Sequence, residues 1–180
     1  MKGPILKGPR ITLRPLKLSD APNYVRWFSD KNVIKYLALQ EPITLKEECK
    51  YIKNLTRDKS HINYAIINEE KKHIGSAGFN GINKKDKRAA FGIFIGEKDQ
   101  WGKGYAGECI KLLANYLFKK LKFNRFELEA SVANTRGVKA YKKAGFVLEG
   151  VRRKWHFNKI TRKFEDVAFM GILREDWLKK

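Results

Sequence analysis

Cysteine, histidine and acidic side chains are scarce in this chain, and each scarcity removes a class of function. The cysteines are Cys49 and Cys109, and the histidines are His61, His73 and His156. No pair of them has the spacing of metal ligands, so no metal site is expected. Cys109 falls on the apolar face of a predicted helix, where a buried inert thiol outweighs a nucleophile. Long apolar runs are also missing. The longest, Ala89 to Ile95 with one glycine inside, is far too short to span a bilayer. The opening MKGPILKGPR has no apolar core of a secretory signal. The expectation is a cytoplasmic protein without a membrane segment. Acidic residues number 19 against 39 Lys and Arg, a formal net charge of +20. The basic residues are scattered in pairs rather than gathered in one tail. Such a charge fits anionic partners (nucleic acid, ribosomes, acidic protein, a phosphorylated cofactor), or simply a lysine-rich solvated surface. A small polycation is an awkward substrate for it, unless a local acidic pocket receives that cation.

What is present suits one globular domain spanning residues 1–180, with 43% hydrophobic and 32% charged residues. Arg10 to Pro15 alternates as a strand. Ser19-Asp20 reads as a cap for a helix carrying Ala21, Tyr24, Val25 and Phe28, with Trp27 widening its apolar side. Thr44-Leu45-Lys46-Glu47 has the form of a capping box, opening a helix through Ile52 and Leu55. Three strands follow at His61–Ile67, His73–Phe79 and Ala89–Ile95, joined by short turns as in an antiparallel meander. Ala106, Ile110, Leu113 and Leu117 form a helical stripe, and Arg125 to Val132 reads as a strand. Asn134 can cap a helix to Lys143 that Gly145 stops, and Phe146–His156 with Lys163–Leu173 closes the chain as two strands. The predicted fold is α+β, a mostly antiparallel mixed sheet of seven strands flanked by helices. One β-α-β crossover surrounds a glycine-rich loop.

That loop, Gly102-Lys103-Gly104-Tyr105-Ala106-Gly107, spells the G-x-G-x-x-G of dinucleotide sites, and Glu127 stands where a ribose-binding acid is sought. Two observations exclude that ligand. Gly96 to Trp101 separate the strand from Gly102, whereas a Rossmann turn leaves the strand end directly. The upstream strands are joined by short turns, so no doubly wound sheet forms, and Glu127 sits inside its strand. A Walker loop fails because no Gly-Lys-Ser/Thr follows. The capacity for phosphate remains: glycines let the backbone approach, free amides at a helix start face an anion, and Lys103 adds a cation.

The segments FGIFIGEKDQWGKGYAGE and VANTRGVKAYKKAGFVLEGVRR together resemble the GNAT superfamily of acyl-CoA-dependent N-acetyltransferases. The likeness covers nearly the whole chain, including RITLRPLKLSDA, Trp27 and ILREDW, and is nearest the Rim-type ribosomal-protein and spermidine acetyltransferases. It implies a loop of form Arg/Gln-x-x-Gly-x-Gly/Ala, here Trp101-Gly102-Lys103-Gly104-Tyr105-Ala106, holding the acetyl-CoA pyrophosphate on backbone amides. It further implies that Ile93, Phe94 and Ile95 lie along the pantetheine arm, with an amide at the thioester oxygen. Asn134 is implied to bond the pantetheine amide, and Tyr141 to protonate the departing thiolate. Gly137 stands where the family has Ala or Ser, and Trp101 where it has Arg or Gln.

The base is the least defined role. Relatives place a Glu on the strand before the loop, yet Ala89–Ile95 has no carboxylate. Glu127, Glu129 and Ser131 share one face of the next strand, which makes Glu129 the candidate, with an ion-paired surface Glu or a water chain as alternatives. Trp155, His156 and Phe157 are candidates for an acceptor-site wall or for aromatic core. The resulting expectation is direct acetyl transfer from acetyl-CoA to a primary amine, with a protein N-terminal α-amine as the first acceptor. A small amine (polyamine, aminosugar or aminoglycoside) and a basic RNA- or ribosome-binding module with a decayed site are the alternatives. The oligomeric state, a homodimer included, stays open.

Overall fold

The computed structural model describes residues 3–55 and 57–179. A two-residue strand, β1 (Leu6–Lys7), pairs antiparallel with β2 (Ile11–Pro15). It adds an eighth strand to the seven expected, because two residues carry no readable period. Then come α1 (Ala21–Phe28), the short α2 (Lys31–Ile34) and α3 (Leu45–Leu55). Thr44 and Glu47 make the expected capping box of α3. Thr44 N donates to Glu47 Oε2 at 2.8 Å, and Glu47 N donates to Thr44 Oγ1 at 3.3 Å. Asp20 departs from expectation. Its carboxylate does not cap α1 but accepts from both Arg14 guanidinium nitrogens and from Lys17 N. A charged bidentate pair outcompetes a single cap bond.

The meander is β3 (Ile62–Asn68), β4 (His73–Asn83) and β5 (Arg88–Ile95), antiparallel throughout. Helix α4 (Tyr105–Asn115) ends in one π-helical turn, and β6 (Arg125–Ser131), α5 (Thr135–Ala144), β7 (Val147–Asn158), β8 (Lys163–Leu173) and α6 (Arg174–Leu178) complete the chain. All eight strands form one sheet in the order β1-β2-β3-β4-β5-β6-β8-β7, with β5 and β6 its parallel neighbours. The α4 stripe of Cys109, Ile110, Leu113 and Leu117 packs on Phe79, Phe91 and Phe126 as the main core. Burial pushes the Cys109 thiol up, so it stays protonated and inert.

One irregularity positions the site. β5 and β6 pair only where Arg88, Ala89 and Ala90 face Arg125, Phe126 and Glu127. Beyond that, Phe91–Ile95 and Leu128–Ser131 continue without bonding each other, and the sheet opens into a cleft. At its apex the Phe91 ring meets Tyr141 edge-on at 6.1 Å and Phe146 at 6.2 Å. The other wall is a second apolar cluster, Tyr24, Trp27 and Phe28 of α1, set against Phe94.

Glu97 anchors the end of β5. Its buried carboxylate accepts from Trp27 Nε1 at 2.9 Å and Lys72 Nζ at 3.0 Å, and it also pairs with Arg26. Burial acts to raise its pKa, but these donors override burial and hold it at about 2. A depressed carboxylate stabilises the fold above its unfolded pKa and loses that contribution as pH falls through the folded value. Because Arg26 and Lys72 are largely exposed, Glu97→Gln should cost about 1–2 kcal/mol near neutrality. Denaturant unfolding should show the gap from wild type closing as pH falls from about 4.5 to 2. A gap that persists in acid assigns the loss to packing instead.

The outer strand β7 is exposed along almost its whole length. Trp155 and Phe157, 56% and 43% exposed, therefore belong to neither the core nor a site wall. His156 is half-buried beside them. Burial falls instead on the inner strand β8.

Candidate active site

A cavity of about 980 Å³ fills the cleft and follows β5 from the glycine loop to the helices α1–α3. At the loop end, Gly102 has φ +79° and Gly104 φ +86°, both left-handed. A Cβ on Gly102 would meet nothing within 4 Å, so backbone conformation rather than crowding calls for glycine there. The amides of Gly102, Lys103, Gly104, Tyr105 and Ala106 have no acceptor among the described residues. Consecutive unpaired N–H groups at the start of α4, reinforced by its dipole, make an anion cradle. Glu127 is engaged elsewhere, by Arg88 and Arg125, and takes no part in that loop.

Ile93, Phe94, Ile95, Trp101, Gly102, Gly104, Tyr105, Ala106 and Asn134 all line the cavity. Two of the loop's side chains do other work. The Tyr105 hydroxyl donates to Glu69 at about 3.0 Å from a buried ring, leaving its amide for the cradle. Lys103 does not line the cavity; its Nζ donates to Gln100 Oε1 at 3.1 Å. Trp101 Nε1 donates to Ile95 O at 2.8 Å, fixing the indole against the end of β5. The Arg136 guanidinium lies 4.2 Å over that indole. Arg136 thus restores a cation beside a loop that has Trp in place of Arg, a partnership that sequence spacing does not reveal.

Asn134 caps α5, its side-chain oxygen accepting from Gly137 N at 3.0 Å. A Cβ on Gly137 would fall 2.6–3.0 Å from that side chain, so glycine lets the cap close tightly. Tyr141, also on α5, points into the cavity between Phe91 and Phe146, and burial pushes its phenol up to about 12. Of the three residues sharing a face of β6, Glu127 is ion-paired and Ser131 Oγ donates to Glu165 Oε2 at 2.5 Å. Glu129 alone reaches the cavity, as an exposed side chain at its rim.

At the other end α3 contributes Glu48, which sequence reasoning passes over. An acid in the first turn of a helix ordinarily complements the dipole in water. Here it is 6% exposed, and Oε1 has no hydrogen-bond partner among the described residues. Burial pushes its carboxyl up to about 7. Tyr24 and Tyr51 line the same space, and both phenols are raised by burial first and by the Glu48 charge second or after. The Tyr51 hydroxyl accepts from Asn63 Nδ2 at 2.7 Å. No His, Cys, Asp or Glu grouping able to hold a metal ion occurs among the described residues.

Comparison with known proteins gives a consistent result. Residues 10–147 match the family model described as an acetyltransferase (GNAT) domain. The chain is 31% identical over 173 residues to the uncharacterised N-acetyltransferase p20 of Bacillus licheniformis, covering 93% of this chain and 95% of the relative. To the spermidine N(1)-acetyltransferase of Escherichia coli K12 it is 29% identical, over 93% of this chain and 88% of the relative. The solved spermidine N-acetyltransferase of Vibrio cholerae, in complex with CoA and spermine, superposes with a TM-score of 0.87. That match has 25% identity and covers 95% of this chain and 99% of the other.

Proposed function

The chain belongs to the GNAT acetyltransferase family, and on that premise we propose that it moves an acetyl group directly from acetyl-CoA to a small, cationic primary amine of polyamine type. One observation carries the choice of acceptor. In a chain of net charge +20, Arg136, at the cofactor end, is the sole Lys or Arg lining the cavity among the described residues. The far end presents Glu47 and Glu48, and no Lys or Arg lines it among the described residues. A cavity cleared of positive charge and floored by a buried carboxyl suits an ammonium ion. The likeness to spermidine acetyltransferases supports the same acceptor. A protein N-terminal α-amine, the acceptor first implied by the Rim-type likeness, has less support.

The cradle amides and Arg136 hold the acetyl-CoA diphosphate. The pantetheine arm runs along the edge of β5 left unpaired by the divergence of β6, where a strand N–H can bond the thioester oxygen as negative charge develops there. The amine nitrogen approaches from the α1–α3 side and forms the C–N bond while the C–S bond breaks. Tyr141 donates to the departing sulfur. Its raised pKa keeps the proton on the phenol at neutral pH, as a donor to sulfur requires.

Two measurements test this. CoA at about 100 times its Kd should stabilise the protein by about 2.7 kcal/mol, a rise in Tm of roughly 5–10 °C. Acetyl transfer to spermidine should exceed transfer to an alanine-initiated peptide by at least about tenfold in kcat/KM. An absent thermal shift at millimolar CoA would favour a binding module without catalysis. A peptide preferred over spermidine would restore the protein N-terminus as acceptor.

A further inference from the structure

The ammonium group of an acceptor must lose a proton before its nitrogen can attack, and β5 carries no carboxylate to receive it. Among the described residues three carboxylates line the cavity: Glu47, Glu48 and Glu129. Glu47 is spent on the Thr44 cap, and its side chain is exposed. Glu129 is exposed at the rim, where bulk water competes for any proton or cation. Glu48 alone is buried, with one oxygen unpartnered. Its place is also right. Tyr24, within its electrostatic reach, packs edge-on to Phe94 at 5.7 Å, and Phe94 faces Ser76 across the β4–β5 register. Glu48, Tyr24 and Phe94 thus line one cavity, the Glu48 carboxyl on its α3 wall and Phe94 on the β5 strand proposed to flank the thioester.

We propose that Glu48 is the proton acceptor of the reaction: Oε1 binds the acceptor ammonium and removes one of its protons. The assignment rests on the acetyltransferase reading above. One N–H bond breaks and the Glu48 O–H bond forms, leaving a neutral amine that makes the C–N bond as the C–S bond breaks. Sulfur takes a proton from Tyr141, and the nitrogen, positive after attack, returns one to Tyr141 through water. Glu48 then releases its proton to solvent, so one proton is produced for each amide and free thiol.

The groups facing Glu48 are consistent with that task. From α1 and α3 come the neutral phenols of Tyr24 and Tyr51. Asp20, at the start of α1, is neutralised by its bidentate pair with Arg14. Half-buried His73 of β4 stands 5.9 Å from the Tyr24 ring, with its pKa lowered chiefly by burial. With no lysine or arginine beside it among the described residues, burial makes Glu48 a stronger base than an ordinary carboxylate and closer to an ammonium, whose reference pKa is about 10.4.

The test is the pH dependence of kcat for wild type, Glu48→Gln, Glu48→Asp and Glu129→Gln, with saturating acetyl-CoA and spermidine. Wild type should show an acid limb near pH 7. Glu48→Gln should lower kcat by about 50-fold or more and abolish the limb, while keeping the CoA-induced thermal shift. Glu48→Asp should restore part of the rate together with the limb, and Glu129→Gln should change neither. The assignment is overturned if Glu48→Gln keeps kcat within about threefold, or if Glu129→Gln removes the limb instead. Should Glu48→Gln fail to fold, a wild-type limb at an ordinary carboxylate value near 4.5 overturns it, and one near 7 that shifts in Glu48→Asp with a lowered kcat upholds it. If wild type acetylates the peptide but not spermidine, the polyamine reading fails, and the same profiles taken on the peptide still decide the role of Glu48.

Discussion

Replacing Tyr141 with Phe is expected to lower turnover by about 100-fold or more and to leave CoA affinity within about threefold. The ring of Tyr141 does packing work, meeting Phe91 at 6.1 Å and Phe146 at 6.2 Å. Phenylalanine keeps those contacts, so the fold should lose less than about 1 kcal/mol. What disappears is the hydroxyl, the donor proposed to meet sulfur as the C–S bond breaks. Without it the departing thiolate carries its full charge in a largely apolar cleft, the costly situation for an uncompensated ion. Burial holds the phenol at about 12, so the donor stays protonated across the working range. Wild-type kcat should accordingly show no alkaline limb from Tyr141 below about pH 11. Steady-state kinetics beside a CoA titration separate the two effects. Unchanged turnover in Tyr141→Phe would remove the residue from the mechanism and leave it as core.

The second large effect is expected at the loop. Changing both Gly102 and Gly104 to Val should raise the Kd for CoA by at least about 100-fold while the protein stays folded. Their φ angles of +79° and +86° are strained for any β-branched residue, at roughly 1–3 kcal/mol each. The loop can relieve that strain only by rotating its peptides, which turns the free amides from Gly102 to Ala106 away from a common point. Folding should survive because little depends on space here. A Cβ on Gly102 meets nothing, and one on Gly104 meets only the end of Arg10 at 3.6 Å. Gly150 supplies the control. It lies in β7, away from the cavity, with open space at Cβ and no positive φ, so Gly150→Ala should leave affinity unchanged. If the double variant binds CoA as tightly as wild type, the diphosphate sits elsewhere.

Much of this molecule was legible in advance because its signals are local. Period-two strands, the α4 stripe, the Thr44–Glu47 box and the Asn134 cap each depend on neighbours within a turn or two. The elements that went unread, β1, α2 and α6, span between two and five residues, too few for a period to show. Trp155 and Phe157 misled for the opposite reason. Aromatic content predicts burial, but β7 lies at the edge of the sheet, and strand order is not a local property.

By itself, the sequence determined the order of the longer elements, a glycine loop with the capacity to bind phosphate, and the place of Tyr141 on α5. Those features rest on dihedral preference and on spacing along one element. Only the tertiary structure decided that β5 and β6 part after three residue pairs, so that the loop, Tyr141 and the α1–α3 face share one cavity. It also decided that Glu48, a solvated helix-start acid to any sequence reader, is buried there unpaired while Glu129 stays in water. The physical reason is that burial and counter-charge are set by segments far apart in the chain. A carboxyl group takes its proton affinity from what packs around it.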